Sequence, residues 1–339
     1  MQNFKITSTL NPAQWSSFVY DHPNGNIFQT PEMYEVYKNT KNYEPIFLAV
    51  IDDKNEILGT LLAVIQKEYS GFLGSFTARS IIYGGPLIKD NNPDVLDLIV
   101  KEYDKIIKRK AIYSQFRNMW DWGELKEIFI KNGFEYEEHL NILVDLTIGE
   151  ELLWKGVKKS RKEGIRKAIR NELKFSTFST KDAKDVLPIF YKLLKETYLN
   201  AKLPYPLIDF FYNLNDKMTD KHIKYFTLRK NEETIIVLVA LIYKECLFAF
   251  YIGTKQDKEI LRMRPVDLFY WEVMRWGIVN GIKVFDWLGA GKPNKEYGVR
   301  DFKLEYGGKV VEFGRYEKIH KPFLMEIGKI GLKLWQKLK

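Results

Sequence analysis

Apolar runs of strand length alternate with amphipathic segments along the first part of the chain. Runs at 45–51, 57–66 and 81–88 are rich in Ile, Leu and Val, and a polar cluster at 52–55 separates the first two, as expected of strands joined by a turn. The segment 93–110 places apolar residues at helical spacing. With shorter runs at 112–116 and 141–145 and helical segments elsewhere, the pattern predicts a mixed α/β domain.

The second half repeats this order. A helical pattern at 182–199 precedes strand-like runs at 223–229, 234–243 and 246–253. A helix at 265–280 and a strand at 282–288 then follow. Helix, three strands, helix and strand thus occur twice, which is typical of a duplicated domain rather than a short repeat.

The 339 residues exceed what one ordinary core accommodates, so two domains are expected. We place the first at 1–150 and the second at 151–318. We expect 319–339 to form a basic amphipathic helix that packs back on the first domain. Attraction of this helix to anionic lipid is the alternative.

Composition narrows the possible partners. The net charge of +9 favours an acidic partner, whether nucleic acid, a phosphorylated substrate or an anionic membrane surface. The single cysteine, Cys246, excludes a disulfide within the chain. The N-terminal residues lack the pattern of a signal peptide, and no apolar run has transmembrane length. We therefore expect a cytoplasmic protein with at most peripheral membrane contact.

The segment 150–172 is strongly basic. It could form an electrostatic platform for RNA phosphates or a phosphorylated substrate; the alternative is a solvated linker helix whose apolar residues pack on the core. Its cationic residues are Lys155, Lys158, Lys159, Arg161, Lys162, Arg166, Lys167 and Arg170.

Several kinds of catalytic site lack support. The four histidines have no metal-ligand spacing, so no metal is expected, and no nucleophile elbow, phosphate-binding loop or dinucleotide fingerprint is present. Acyl transfer needs less of a protein, because orienting an amine and stabilising an oxyanion are sufficient. A predicted strand at 284–288, a glycine-containing loop and Lys303 provide such a place, and a second strand is expected at 310–316.

The chain resembles the Fem family of peptidoglycan-bridge aminoacyltransferases and the wider group of FemAB-like tandem acetyltransferase-fold (GNAT) proteins. The similarity extends over nearly the whole chain. It is carried by the motifs FQTPE at 28–32, YGGP at 83–86, SRKEGIRKA at 160–168, PVDL at 265–268, FDWLG at 285–289 and YGVRDFK at 297–303.

This resemblance implies two GNAT-like domains. It also implies transfer of an amino acid from aminoacyl-tRNA to an amine of a lipid-linked or UDP-linked muropeptide in cell-wall synthesis, with no cofactor. Lys303, preceded by Phe302, matches the family's catalytic Phe-Lys motif, and Arg300 and Asp286 are expected to surround it. Lys38, Tyr198, Lys202 and Tyr251 occupy positions expected to bind the substrate.

One departure from the family pattern leaves alternatives open. The segment 153–175 is too short for the coiled-coil arm of several bridge-forming members. An acyl-CoA-dependent N-acyltransferase acting on an amino sugar or amine of a surface polysaccharide is therefore the second hypothesis, and residues 262–265, just before a helix, are a candidate pyrophosphate site. The third is a non-catalytic protein that binds RNA or an anionic glycan.

Overall fold

The computed structural model describes residues 4–328 and 330, apart from the side chains of residues 72 and 73. Two compact units divide the chain: 1–138 with 313–339, and 139–312. Within the described residues each unit contains one mixed sheet with helices against it. The α/β class predicted from the sequence is confirmed.

The first unit has the strand order β1-β2-β3-β4-β6-β15-β7, and β5 pairs with β3. Its core lies between the sheet and helices α3 and α4. The elements are β1 (Lys5–Thr7), α1 (Pro12–Asp21), α2 (Pro31–Asn39), β2 (Tyr43–Ile51), β3 (Ile57–Gln66), β4 (Arg79–Tyr83), β5 (Leu87–Ile88), α3 (Pro93–Ile107), β6 (Tyr113–Arg117), α4 (Lys126–Lys131), β7 (Glu135–Glu137) and β15 (Arg315–Ile319).

Local chemistry explains how these elements begin and turn. The Asp52 carboxylate accepts the backbone N–H groups of Lys54 and Glu56 and closes the β2–β3 turn. Asn92 accepts two N–H groups of the first turn of α3, which Pro93 opens. The predicted strand at 81–88 is interrupted by Gly84, at a φ of 51°, so that β4 and β5 are separate.

The second unit has the strand order β14-β8-β13-β12-β11-β10-β9. Its elements are β8 (Leu140–Asp145), α5 (Gly149–Gly156), α6 (Lys159–Arg170), β9 (Lys174–Phe178), α7 (Ala183–Asn200), α8 (Ile208–Lys217), β10 (Ile223–Lys230), β11 (Glu233–Tyr243), β12 (Cys246–Thr254), α9 (Lys258–Arg262), α10 (Pro265–Val279), β13 (Val284–Gly289), α11 (Gly298–Leu304) and β14 (Lys309–Glu312).

A short parallel pairing positions the site in this sheet. Strands β12 and β13 are in parallel register only from Cys246–Val284 to Phe248–Asp286. Beyond Phe248, β12 continues alongside β11, whereas β13 turns towards β8 through an irregular pairing. The two strands therefore separate just after Asp286.

Two sequence predictions in this region need correction. The single strand expected at 310–316 is two strands, because β14 pairs with β8 in the second unit and β15 pairs with β6 and β7 in the first. The basic segment is two helices, since Val157 and Lys158 have extended backbones between α5 and α6.

The unit boundaries also differ from those predicted. Residues 139–150, expected to end the first domain, lie in the second unit because β8 pairs with β13 and β14. Residues 313–318, expected in the second, lie in the first. Residues 322–328 are helical. The rest of the predicted C-terminal helix, at 329 and 331–339, lies outside the described residues.

Candidate active site

The end of β13 is bulged. Along this strand the pairing with β8 advances three residues from Asp286 to Gly289, while β8 moves only two, from Leu143 to Asn141. Leu288 adopts a left-handed φ of 58°, and its N–H donates to Asp286 Oδ1 at 2.6 Å. The Asp286 side chain therefore stabilises the irregularity that a non-glycine residue at positive φ would otherwise disfavour.

Helix α11 places Lys303 against this bulge. The Lys303 ammonium donates hydrogen bonds to the carbonyl oxygens of Trp287, at 2.9 Å, and Gly289, at 2.8 Å. The sequence pattern predicted a loop here, but residues 298–304 are helical. The helix and the bulge together fix the position of the ammonium.

Both ionisable groups at the bulge, Lys303 and Asp286, have shifted pKa values. Burial lowers the pKa of Lys303 to about 8, although the charge of Asp286 opposes this shift. Burial raises the pKa of Asp286 to about 6, against the opposing effects of the Leu288 N–H and the Lys303 charge. Near neutral pH, the dominant state is therefore a carboxylate close to an ammonium that can give up a proton.

Phe302, the residue before Lys303, packs among aromatic side chains that include Trp287. Its ring lies 5.3 Å from that of Tyr306, and the Arg161 guanidinium lies 5.1 Å from its centroid. Arg161 also forms ion pairs with Asp267, at 2.7 Å, and with Glu305, at 2.6 Å. Phe302 thus belongs to the support of α11.

Arg161 was assigned from the sequence to a basic surface, but it faces inward. Its side chain is only 16% exposed, and its three contacts join α6 to α10 and α11. The remaining cations of α6 behave more as expected. Lys159, Arg166, Lys167 and Arg170 are exposed. The inward position of Arg161 could be suspected only from its spacing with Gly164, which lies on the same side of the helix.

A buried carboxylate, that of Asp267, lies in the first turn of α10. The Asp267 carboxylate is 2% exposed, and Arg264 Nε lies 2.6 Å from Asp267 Oδ2. A Cβ at Gly164 would lie 1.9 Å from the same oxygen, so α6 approaches α10 as closely as glycine permits. The predicted pyrophosphate site at 262–265 is therefore next to a buried carboxylate.

Tyr198 and Tyr251, both predicted to bind substrate, are brought together. Their rings lie 6.1 Å apart. Tyr270 interacts electrostatically with Tyr198 and lies 4.3 Å from the Trp287 ring. Tyr270 therefore contacts the residue that accepts a hydrogen bond from Lys303, whereas Tyr198 and Tyr251 form a separate ring pair.

The other predicted binding residues have separate surroundings. Lys202 is exposed in the turn that follows α7, at a φ of 53°. Arg300 donates to the carbonyl oxygens of Lys292 and Lys295, each at 2.7 Å, and so braces the loop before α11. Lys38, in the first unit, pairs with Glu35 at 3.4 Å. Substrate binding by these three residues stays a prediction.

Trp287 contributes a feature that its sequence motif did not reveal. The indole is 2% exposed, and its Nε1–H has no hydrogen-bond partner among the described residues. A buried donor without a partner carries a free-energy cost of about 1–3 kcal/mol. Because the Lys303 ammonium binds the carbonyl oxygen of the same residue, Trp287 is a further candidate residue of the site.

With this geometry in place, comparison with known proteins identifies the fold. Residues 158–303 match the acetyltransferase (GNAT) domain family. No curated protein matches the sequence.

Three solved structures are similar to nearly the whole chain. FemX has a TM-score of 0.71 at 13% identity, over 95% of this chain and 99% of FemX. L-PGS from Bacillus licheniformis has a TM-score of 0.58 at 16% identity, over 97% and 96%. A tandem GNAT protein from the clavulanic acid biosynthesis pathway has a TM-score of 0.57 at 8% identity, over 94% and 99%.

The chain has the fold of a tandem GNAT protein, similar to that of FemX, as the sequence predicted. The matched acetyltransferase domain lies wholly within the second unit, and the comparisons support an acyltransferase. Lys303 is the last residue of the match. Within the described residues, no helix is long and apolar enough to cross a membrane.

Proposed function

We propose that this FemABX-like protein is an aminoacyltransferase that moves an amino acid from aminoacyl-tRNA to an amine of a peptidoglycan precursor, either lipid II or a UDP-muropeptide. The arrangement of Lys303 and Asp286 at the β13 bulge carries the proposal. It combines a fixed ammonium with a buried carboxylate near the point where β12 and β13 separate.

Each group has a role in amine acylation. The acceptor nitrogen attacks the ester carbonyl of the donor, the new N–C bond forms and the C–O bond to the tRNA ribose breaks. Asp286 takes the proton that the nitrogen loses, and Lys303 stabilises the oxyanion and supplies a proton to the leaving oxygen. Proton return from Asp286 to Lys303 restores the starting state.

Neighbouring side chains prepare this arrangement. Tyr198 and Tyr251 are both half-buried and provide aromatic surface for a substrate. Arg161 contacts Phe302 and Glu305, in and just after α11, and so helps to hold the helix that carries Lys303. A preorganised charge lowers the barrier because it does not have to reorient during the reaction.

The start of α10 favours an aminoacyl-tRNA donor over acyl-CoA. A helix N-terminus attracts a pyrophosphate through its free N–H groups and its dipole. Here Asp267 occupies the first turn of that helix, and its buried carboxylate already engages Arg161 and Arg264, the arginines that would otherwise attract a pyrophosphate. The exposed cations of α6, by contrast, suit a polyanion such as tRNA.

Transfer can be measured directly with the purified full chain. A mixture of tRNAs charged with radiolabelled amino acids is incubated with either lipid II or a UDP-muropeptide, and label in the acceptor is counted. We expect transfer to at least one acceptor from at least one charged tRNA. Calorimetry with acetyl-CoA should show no binding.

The outcomes separate the candidate functions. Binding of acetyl-CoA with acyl transfer to an amino sugar would replace the proposal with the acyl-CoA-dependent alternative. Transfer to phosphatidylglycerol would retain the aminoacyl donor but change the acceptor. This lipid is worth testing because one structural neighbour is named as a putative lysylphosphatidylglycerol synthetase. Absence of transfer from every charged tRNA would contradict the proposal. Action at the cytoplasmic membrane face would follow if lipid II is the acceptor.

A further inference from the structure

Two arginines face each other in the sheet of the first unit. Arg117 on β6 and Arg315 on β15 are direct partners in antiparallel register. Tyr83 on β4 is the parallel partner of Arg117, so the three residues form one row across the sheet. Like charges placed directly opposite each other on paired strands are destabilising.

A neutral oxygen lies between these arginines. Gln115 Oε1 accepts from Arg117 Nε at 2.9 Å and from an Arg315 terminal nitrogen at 3.4 Å. Glu317, the cross-strand partner of Gln115, accepts a hydrogen bond from the Gln115 amide nitrogen at 2.8 Å. The carboxylate thus orients the glutamine so that its oxygen faces the guanidinium groups.

The positive charge of the pair is only partly offset. Within the part of the chain that the structure describes, neither guanidinium has a carboxylate at ion-pair distance, although Glu137 is the partner of Arg315 on β7. Arg117 donates its other hydrogen bond to the Tyr83 hydroxyl at 2.9 Å. Burial lowers the pKa of Arg315 to about 10, and the charge of Arg117 lowers it further, against the opposing charge of Glu137. Two arginines with one nearby carboxylate leave an excess of positive charge.

The pair also lies where ligands commonly bind in sheets with parallel strands. Tyr83 and Arg117 are the last residues of β4 and β6, which run parallel. Ligands bind preferentially beyond the carboxyl ends of such strands. Gly84 follows Tyr83, and its N–H bonds to the Arg117 carbonyl, so the chain turns away immediately after the row.

We propose that Arg117 and Arg315 form an oxyanion-binding site for a phosphate or carboxylate group of a substrate. Planar guanidinium groups bind both anions through paired hydrogen bonds. A bound oxyanion would neutralise the facing charges, while Gln115 holds both arginines in place. A muropeptide precursor contains both kinds of group, and only this identification of the ligand rests on the proposed function.

The site can be tested by thermal denaturation of the full chain at constant ionic strength. The probes are sodium pyrophosphate and N-acetyl-alanyl-alanine, which represent a phosphate and a carboxylate, with sodium chloride as reference. We expect one or both probes to raise the melting temperature, because a ligand that binds only the native state stabilises it. Arg315→Gln and Arg117→Gln should each remove this increase.

Arg109→Gln is the matched control, since Arg109 is an exposed arginine of the same unit. The Arg109→Gln variant should show the same probe-dependent increase in melting temperature as the unmodified protein. If neither probe stabilises the unmodified protein beyond the chloride reference, the proposal is wrong, whatever the variants do. An equal increase in wild type and in both variants would also overturn it.

Calorimetry with the stabilising probe gives a second measurement. We expect each single arginine variant to weaken binding by about tenfold or more, the scale of a lost charge-assisted hydrogen bond. Lys303→Met should bind the probe like wild type, so loss of transfer activity and loss of oxyanion binding can be distinguished.

Discussion

The two units contain the same crossover with different chemistry at its end. In the first, the chain passes from β4 through α3 to β6, and β4 and β6 are parallel and in register over all five residues of each strand. In the second, β12 and β13 stay in register over three residue pairs and then separate at a bulge. The continuous pair ends in Arg117 beside a second arginine, whereas the interrupted pair has Asp286 close to Lys303.

The helices of the two crossovers also begin differently. The Asn92 side chain caps α3 by accepting two backbone N–H groups. Helix α10 follows a left-handed Arg264 without a side-chain cap and carries Asp267 in its first turn. Similar topology therefore does not imply similar ligands, and the residues at the strand ends and helix starts determine the chemistry.

Replacing Lys303 is the strongest way to test whether the bulge is a catalytic site. Lys303→Met should lower turnover by about 100-fold or more, the scale of losing one oxyanion-stabilising group. KM should change much less if the charge acts mainly in the transition state. Steady-state transfer assays would measure both. Lys309→Met, at an exposed lysine on β14, is the control; equal losses in both variants would contradict the role of Lys303.

The pH dependence should identify the two groups separately. Below about pH 6 Asp286 gains a proton and cannot act as a base, and above about pH 8 Lys303 loses its charge, so turnover should be highest between these values. Asp286→Asn should lower turnover by about 100-fold and remove the acidic limb.

The alkaline limb of Asp286→Asn should also move to lower pH, because the carboxylate raises the pKa of Lys303. Asp145→Asn, at an exposed carboxylate of the same unit, should leave both limbs in place. An unchanged acidic limb in Asp286→Asn would assign that limb to another group.

Removing Arg161 should show how far the support of α11 determines stability. Arg161→Ala leaves the buried Asp267 with one arginine and removes the closer of two ion pairs of Glu305, whose other partner is Lys158. We expect the free energy of unfolding to fall by about 3 kcal/mol, as when a buried ion pair loses one partner. Urea denaturation would measure it. Arg166→Ala, at an exposed position of the same helix, should lower the free energy of unfolding by less than about 0.5 kcal/mol. Equal losses of stability in the two variants would contradict the supporting role of Arg161.

Two glycines allow a smaller test of the contact between α6 and α10. Gly164→Ala should destabilise the protein by about 1–3 kcal/mol, because the new methyl group meets the Asp267 carboxylate. Gly156→Ala should be neutral or stabilising by up to about 1 kcal/mol, since its nearest contact is 3.8 Å away. Thermal denaturation would compare them. Stabilisation by both substitutions would mean that the helices can move apart at little cost.

Sequence patterns predicted the longer strands and helices of both units because their apolar periodicity is strong, but not short elements such as β1, β7 and β9. They did not predict helix α11, whose seven residues contain no fully buried side chain and show little periodicity. Nor did they separate β14 from β15. Phe313 and Gly314 lie between these strands, but the break is evident only from the pairing of each strand with a different sheet.

The sequence by itself determined the α/β class and the internal duplication, and it singled out Lys303 as a candidate through the resemblance of the Phe-Lys motif. Only the tertiary structure decided that Lys303 contacts the carbonyl groups of a bulge, that Arg161 faces inward, and that Arg117 lies opposite Arg315. The physical reason is that each depends on strand register or helix contact between residues distant in the chain. Local sequence propensity contains no information on either, because residues 117 and 315, which are 198 positions apart, become neighbours only when the sheet forms.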